Sequence, residues 1–220
     1  MPQKISQKVD DFTGGLNTAN ATIIKDNELA IAKNMYYDEQ KILSTRRGIA
    51  TFGNAVAGLS DFHSLYFTTF TDGTRILLAG GGTSVYRYNE TTSDWDVIQA
   101  GLTADLKLSF VTFKDVIYWM NGTDNSTGYD GTTVTAYPLM LKGKYVIIAN
   151  DVAYTAGVPT DPSTVFYTSG NPADLNSTLV ALADNEPVNQ DEGTITGLFK
   201  LTDVIVGVGK TNGIFSLNTV

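Results

Sequence analysis

From Leu59 onward the chain is a succession of short β-branched and aromatic runs cut by turn dipeptides, and this texture limits the fold more than any other feature. The clearest breaks are Asp72-Gly73, Asn121-Gly122, Asp130-Gly131 and Asn212-Gly213. An Asx-Gly step between apolar runs favours type I′ hairpins, because both central residues must reach positive φ. The 21 glycines point to many tight turns. Only 17% of residues are charged, and Thr, Asn and Ser make up much of the difference. That mix suits an all-β protein whose outer faces carry hydroxyls and amides. With 220 residues the chain can bury one large core or two small ones.

Laid over one another, the runs give a weak repeat. The copies begin at Phe70 (FTDGTRILLAGGGTSVYRYN), Phe113 (FKDVIYWMNGTDNSTGYDGTTV), Leu141 (LKGKYVIIANDVAYTAGV) and Phe199 (FKLTDVIVGVGKTNGIFSL). Each reads as an apolar anchor, a polar turn, an apolar strand, a Gly/Asn-rich break and a second strand with Tyr or Phe. The anchors lie 43, 28 and 58 residues apart. In the long interval, TAGVPTDPST and GNPADLNSTLVALADNEPVNQDEG read as insertions between strands. A unit of about 40–45 residues with several short strands fits a β-propeller blade. A β-sandwich is the main rival. A propeller closes with at least about four blades, whereas this chain offers three and stops at GIFSLNTV in mid-strand. An open edge there would template unwanted pairing. Either more chain follows, or a neighbouring subunit covers the edge, or the fold is not a propeller.

The expected fold is therefore mainly β. Residues 59–220 would form a β-propeller-like array, or an incomplete propeller, of repeated short antiparallel strands, cut short at its C-terminal end. Residues 1–58 would form an N-terminal extended arm, one short helix and a strand. Within that region residues 1–26 are polar and aperiodic. In DNELAIAKNMYYDE, Asp26 or Asn27 can cap a helix, and Leu29, Ala32, Met35 and Tyr36 share one helical face. The segment KILSTRRGIATFG follows as an extended run.

Several function classes are disfavoured by totals. A net charge of −8 repels phosphate, which argues against wrapping nucleic acid or binding anionic lipid. The absence of cysteine excludes disulfides, thiolate metal sites and cysteine nucleophiles. No apolar run approaches the roughly 18 residues needed to cross a bilayer. MPQKISQKVDDF lacks the apolar stretch of a secretory signal, so the expectation is a chain made in a cytoplasm, or one whose leader is absent from this sequence.

The chemistry-bearing candidates are few. His63, the sole histidine, lies near Asp61 and could form half of a dyad; the plainer reading is a histidine pairing with a polar neighbour at a sheet face. No Gly-x-Ser-x-Gly elbow accompanies it. In NGTDNSTGYDG, Asn121 to Gly131, the side chains of Asp124, Asn125, Ser126 and Asp130 are hard ligands of the kind calcium takes, but the spacing is not that of an EF-hand. The same residues make ordinary hairpin loops. AGGGT (Ala79–Thr83) has no helix after it. VGVGKT (Val206–Thr211) lacks the P-loop's first glycine, since Val204 stands there. Arg46 and Arg47 are the only adjacent arginines, a carboxylate clamp or two solvated charges. No catalytic, cofactor or metal site emerges.

The N-terminal fifty residues carry a series of motifs: VDDFTGGLNT, then a capped segment with Asn34 near its end, then STRRG. This order resembles the start of a family of tailed-bacteriophage virion proteins, variously called tail nozzle, stabilisation or head-to-tail connector proteins. Gly14, Gly15, Leu16 and Asn17 match the first element, Asn34 the second, and Arg46, Arg47 and Gly48 the third. About a quarter of the chain is covered specifically; the blade-like remainder agrees in style. Family members are usually longer, with enough blades to close a ring. The resemblance implies a non-enzymatic structural protein of the virion neck or tail, without cofactor or small-molecule substrate and without membrane attachment. It would form a homo-oligomeric ring beside other neck, tail or portal-proximal proteins, and DNA would pass without specific binding. Phe12, Gly14, Gly15, Leu16, Asn17, Arg46 and Arg47 would then be subunit-docking residues, with Phe12 as apolar anchor and Gly-Gly allowing close backbone approach.

Two other readings remain. The 11 tyrosines with Trp95 and Trp119, together with the Asn121–Gly131 loop, suit a carbohydrate-binding or adhesion β-propeller, where rings stack on sugars; packing between blades is the plainer role for those rings. A propeller hydrolase is the third.

Overall fold

The structure is a computed structural model that describes residues 14–17, 25, 28–29, 35–37, 43–45, 50–138, 140–167, 184–188 and 193–218. The chain divides into two compact units, Met1–Phe52 and Gly53–Val220.

In the first unit, β1 (Gly15–Leu16) pairs in parallel with β2 (Glu28–Leu29). Strand β3 (Met35–Tyr37) pairs antiparallel with β4 (Leu43–Thr45). The helix expected over this stretch is thus corrected. Leu29, Met35 and Tyr36, three of its four face residues, lie in strands; Ala32, Asn34 and the cap positions lie outside the described residues. The periodic stretch is barely long enough for a helix to hold without a packed face. Met-Tyr-Tyr instead has a β-favouring partner segment a short loop away.

The second unit is built from four successive antiparallel meanders. Sheet 1 holds β5 (Ser64–Thr69), β6 (Arg75–Gly81), β7 (Ser84–Asn89) and β8 (Asp94–Gln99). Sheet 2 holds β9 (Ser109–Phe113), β10 (Val116–Met120), β11 (Ser126–Tyr129) and β12 (Val134–Tyr137). Sheet 3 holds β13 (Tyr145–Ala149), β14 (Val152–Val158), β15 (Asp161–Tyr167) and β16 (Asp184–Pro187). Sheet 4 holds β17 (Ile195–Thr202), β18 (Ile205–Lys210) and β19 (Gly213–Asn218).

The repeat exists, but two of its anchors are out of phase. The first hairpin of each sheet turns at Phe70–Thr74, Lys114–Asp115, Asn150–Asp151 and Asp203–Val204. Phe113 is therefore matched by Ala149, while Leu141 belongs to the lead-in of sheet 3 and Phe199 lies inside β17. The supposed insertion TAGVPTDPST is itself the β14–β15 hairpin, and Asp184–Pro187 forms β16. The tight two-residue turns with left-handed backbone are Lys114-Asp115 (φ 47° and 58°) and Asn150-Asp151 (φ 48° and 56°), neither of which contains glycine. Asp72-Gly73 and Asp130-Gly131 sit in longer loops, closed by the Asp72 and Asp130 carboxylates accepting backbone N–H bonds from Thr74 and from Thr132 and Thr133.

Three cores lie between the four sheets, one per seam. Tyr66, Ile76, Leu78 and Val85 of sheet 1 meet Phe110, Ile117, Trp119 and Tyr129 of sheet 2. The other face of sheet 2, with Phe113, Tyr118 and Met120, meets Val146, Ile148 and Ala153 of sheet 3. Ala149, Tyr154 and Val165 on sheet 3's second face meet Ile195, Val206 and Val208 of sheet 4. Sheets 2 and 3 are thus apolar on both faces, unlike the half-solvated antiparallel sheet of most small β domains. The lead-in to each later sheet drops an apolar side chain into the seam it has just crossed: Leu108 before β9, Met140 before β13, Val188 before β17.

Candidate functional site

The chemical candidates resolve into structure. His63 lies just ahead of β5, with Nδ1 3.2 Å from Ser64 Oγ. Its Cε1 sits over Gly80, where an added Cβ would lie 3.3 Å from it. Its Nε2 is buried and meets no hydrogen-bonding atom. Asp61 accepts from the Ser60 hydroxyl at 2.6 Å. Ser64 Oγ is a seam acceptor, receiving the Leu108 N–H at 2.8 Å.

Asp124 and Asp130, the two carboxylates of the calcium-like loop, belong to different loops at opposite ends of β11. Six residues of extended chain put them roughly 20 Å apart. Each is occupied by local donors. The Asp124 carboxylate accepts from Asn121 Nδ2 (2.7 Å), Thr103 N–H (2.7 Å) and Thr103 Oγ1 (2.9 Å). Burial opposes its charge, yet these bonds from Asn121 and Thr103 hold the carboxyl below its ordinary value. The Asp130 carboxyl is held low by the Thr133 and Thr132 N–H groups. Among the described residues no group of three or more His, Asp or Glu side chains can hold a metal ion. Asp124 instead ties the lead-in of sheet 2 to its own β10–β11 loop.

The glycine motifs are strands. Gly80 and Gly81 lie in β6, and Val206–Lys210 lies in β18, with the buried Lys210 ammonium donating to the Val188 carbonyl. Trp119, one of the two candidate sugar platforms, is 1% exposed and donates Nε1–H to Gln99 Oε1 at 2.8 Å across the first seam. Trp95 packs with Phe62 (4.7 Å between centroids) and Tyr88 (5.2 Å). A cleft of about 470 Å³ opens beside Gly122, lined by Met140, Leu141, Val158 and Pro159 with Lys142 at its rim. Among the described residues no carboxylate or histidine lines it, and Lys142 is its ionisable side chain.

Of the docking residues expected at the N-terminus, Phe12, Arg46 and Arg47 lie outside the described residues. Gly15 and Leu16 form β1, and Gly14 and Leu16 are exposed. Asn17 Nδ2 donates to Glu28 Oε2 at 2.7 Å, and the same carboxylate accepts the Lys25 N–H at 3.0 Å. These two bonds, the Lys25 one foremost, keep the Glu28 carboxyl below its ordinary value. The Gly-Gly-Leu-Asn segment is thus a local clasp that leaves the Leu16 side chain outward.

The largest feature missed by motif reading is apolar rather than chemical. Leu65 (64% exposed), Phe67 (59%) and Val97 stand out from the free face of sheet 1, and Ile214 (76%) and Phe199 from that of sheet 4. The signal was present in SLYFTT, where apolar residues occupy both parities of the strand.

No protein-family model matches the chain, and no curated protein matches it. Twelve solved chains do. One is the crystal structure of the computationally designed Ika8 protein, at 12% identity and a TM-score of 0.49. The match covers 70% of this chain and 44% of that one, so the chain spans less than half of its length. Likeness at this level assigns neither family nor role.

Proposed function

We propose that this chain is a non-enzymatic structural component of the neck or tail of a tailed bacteriophage, a tail nozzle or head-to-tail connector. In this reading the four meanders are blades of a β-propeller-like array. Identical copies assemble into a ring next to other neck, tail or portal-proximal proteins. The protein resides in the virion after assembly in the host cytoplasm, needs no cofactor, and takes no small-molecule substrate. DNA passes through the ring without specific binding, which the −8 charge favours by repelling phosphate.

The observation that carries the reading is the order Gly14-Gly15-Leu16-Asn17, Asn34, Arg46-Arg47-Gly48 ahead of serial meanders, three of four strands and a last one of three. The sheet arrangement supports it further, since apolar surface on both faces of successive sheets belongs to stacked blades rather than to a solvated two-layer sandwich. The lectin alternative loses support because Trp119 is a seam residue. The test is immunogold labelling of purified phage particles from the source organism with an antibody to this chain. Label confined to the neck or tail is the expected result. Particles free of label would overturn the assignment.

A further inference from the structure

The four Asx-Gly steps of the second unit share a latent reaction. The backbone nitrogen of a glycine that follows Asn or Asp can attack the side-chain Cγ and close a cyclic imide, because glycine has no Cβ to shield its amide. The way the folded chain holds each Asx side chain decides whether the step reacts.

Three of the four side chains are held. Asn121 is fixed at both of its polar atoms: Nδ2 donates to Asp124 Oδ2 at 2.7 Å, and Oδ1 accepts the Thr123 N–H at 3.0 Å and the Asp124 N–H at 2.9 Å. The residue is 4% exposed. These bonds commit its carbonyl to the two amides beyond Gly122. The Asp72 carboxylate accepts the Thr74 N–H at 2.8 Å, and Asp130 accepts the Thr132 and Thr133 N–H groups at 2.8 and 2.6 Å. Those backbone bonds keep both carboxyls below their ordinary value. An ionised carboxylate has no good leaving group.

Asn212 differs on each count. It lies in the two-residue turn between β18 and β19, where Lys210 pairs with Gly213. It is exposed, and among the described residues no group hydrogen-bonds its side chain. The preceding Thr211 is tied, its N–H donating to the Thr194 carbonyl at 3.2 Å. The turn is thus placed by its first residue, and its second is left to water. The Gly213 amide sits at the turn end of the ladder, so attack needs only that pair to open.

We propose that Asn212-Gly213 is a self-modification site, at which the folded chain converts Asn212 to aspartate and isoaspartate. The Gly213 nitrogen bonds to Asn212 Cγ and gives up its proton; the Cγ–Nδ2 bond breaks and ammonia leaves. Water then opens the imide at one or other carbonyl. One opening leaves aspartate. The other leaves isoaspartate, with the backbone running through the former side chain. Water is the only co-reactant. Isoaspartate puts an extra carbon into the backbone of a two-residue turn, so Lys210 and Gly213 lose their register. Lys210 is buried, and its ammonium holds the Val188 carbonyl, so the change reaches the third seam. The inference is independent of the virion reading.

The test incubates the full chain in mildly alkaline buffer, folded in one sample and denatured in urea in another. Both are then mapped by peptide mass spectrometry, with fragmentation that separates isoaspartate from aspartate. In urea the two Asn-Gly steps should convert at similar rates, since both place glycine after Asn. In the folded chain Asn212 should convert at least about tenfold faster than Asn121, whose reaction requires its loop to open. Asn212→Ser, shown to be folded by circular dichroism, should remove the acidic species that accumulates on isoelectric focusing. Asn212 staying intact in the folded chain, or Asn121 converting as fast beside it, would overturn the proposal.

Discussion

Sheet 2 and sheet 1 are made from the same parts and meet different fates. Both are four-stranded meanders of similar strand length, and both are apolar on two faces. In sheet 2 one face is buried under sheet 1, with Trp119 at 1% exposure, and the other under sheet 3, with Met120 at 2%. In sheet 1 the inner face is as well buried, with Leu78 and Val85 at 0%, while Leu65 and Phe67 on the other side stand in solvent. The unit that gains stability is therefore the seam rather than the sheet. A sheet contributes fully only when both of its faces are matched, and the outer face of sheet 1 leaves part of its apolar surface in water.

The sharpest way to break this comparison is to cut the same chemistry on the two sides of it. Trp119→Ala empties the first seam and strands Gln99, and should cost about 3–5 kcal/mol in urea unfolding of a monomeric background. Leu65→Ala in that background should change stability by no more than about 0.5 kcal/mol, since its side chain is already hydrated. Equal losses would mean that the end face is buried in solution by the chain itself.

A second contrast separates seam packing from loop bonding. Asp124→Ala removes the acceptor for two Thr103 donors and for Asn121, and should cost about 1–2 kcal/mol by the same measurement. The pH profile sharpens it. The Asp124 and Asp130 carboxyls titrate below the ordinary 3.8 in the folded chain, so their contribution is present above that pH and is lost as pH falls below it. Acid unfolding should accordingly be less steep in Asp124→Ala. At the alkaline end, burial, aided by the neighbouring Tyr137, pushes the Tyr118 phenol up to about 12 from 10.0. Its contribution is whole below pH 10 and fades as pH rises towards 12, a loss that phenolate absorbance and circular dichroism should track together.

The smallest expected effect lies at the turns. Asp151 is exposed and holds a left-handed φ of 56° without glycine. Asp151→Gly relieves that cost while loosening the unfolded chain, and the net change should stay within about 1 kcal/mol in urea unfolding. A large loss would mean that the Asp151 side chain has a structural role of its own.

The all-β class and the serial hairpins were legible because alternation and Asx-Gly steps are local signals; three of the four steps fall at loops, while Asn212-Gly213 runs from the last turn into β19. The phase of the repeat was not. Anchoring on Phe70 and Phe113 nearly works because Phe70 opens the first hairpin turn of sheet 1 and Phe113 directly precedes that of sheet 2, but the third copy has small Ala149 there, and Leu141 drew the alignment eight residues early. The turn types misled for a related reason: Lys114-Asp115 and Asn150-Asp151 take left-handed backbone under the constraint of the strand pairing around them, without the residue that advertises it. The short helix failed because a weak period in 14 residues competes poorly with pairing between Met35–Tyr37 and Leu43–Thr45. For the candidate surfaces, apolar residues on both parities of SLYFTT were visible, but which face would be left uncovered depends on the order of sheets in space. The virion reading still rests on the N-terminal motif series, and its Phe12 and Arg46-Arg47 elements lie outside the described residues.

The most direct test of the central claim is the native mass of the purified wild-type chain across a concentration series. The account predicts a concentration-dependent rise to a discrete or growing multiple of the single-chain mass. A single-chain mass at every concentration would contradict it, because a ring of identical copies requires the chains to associate.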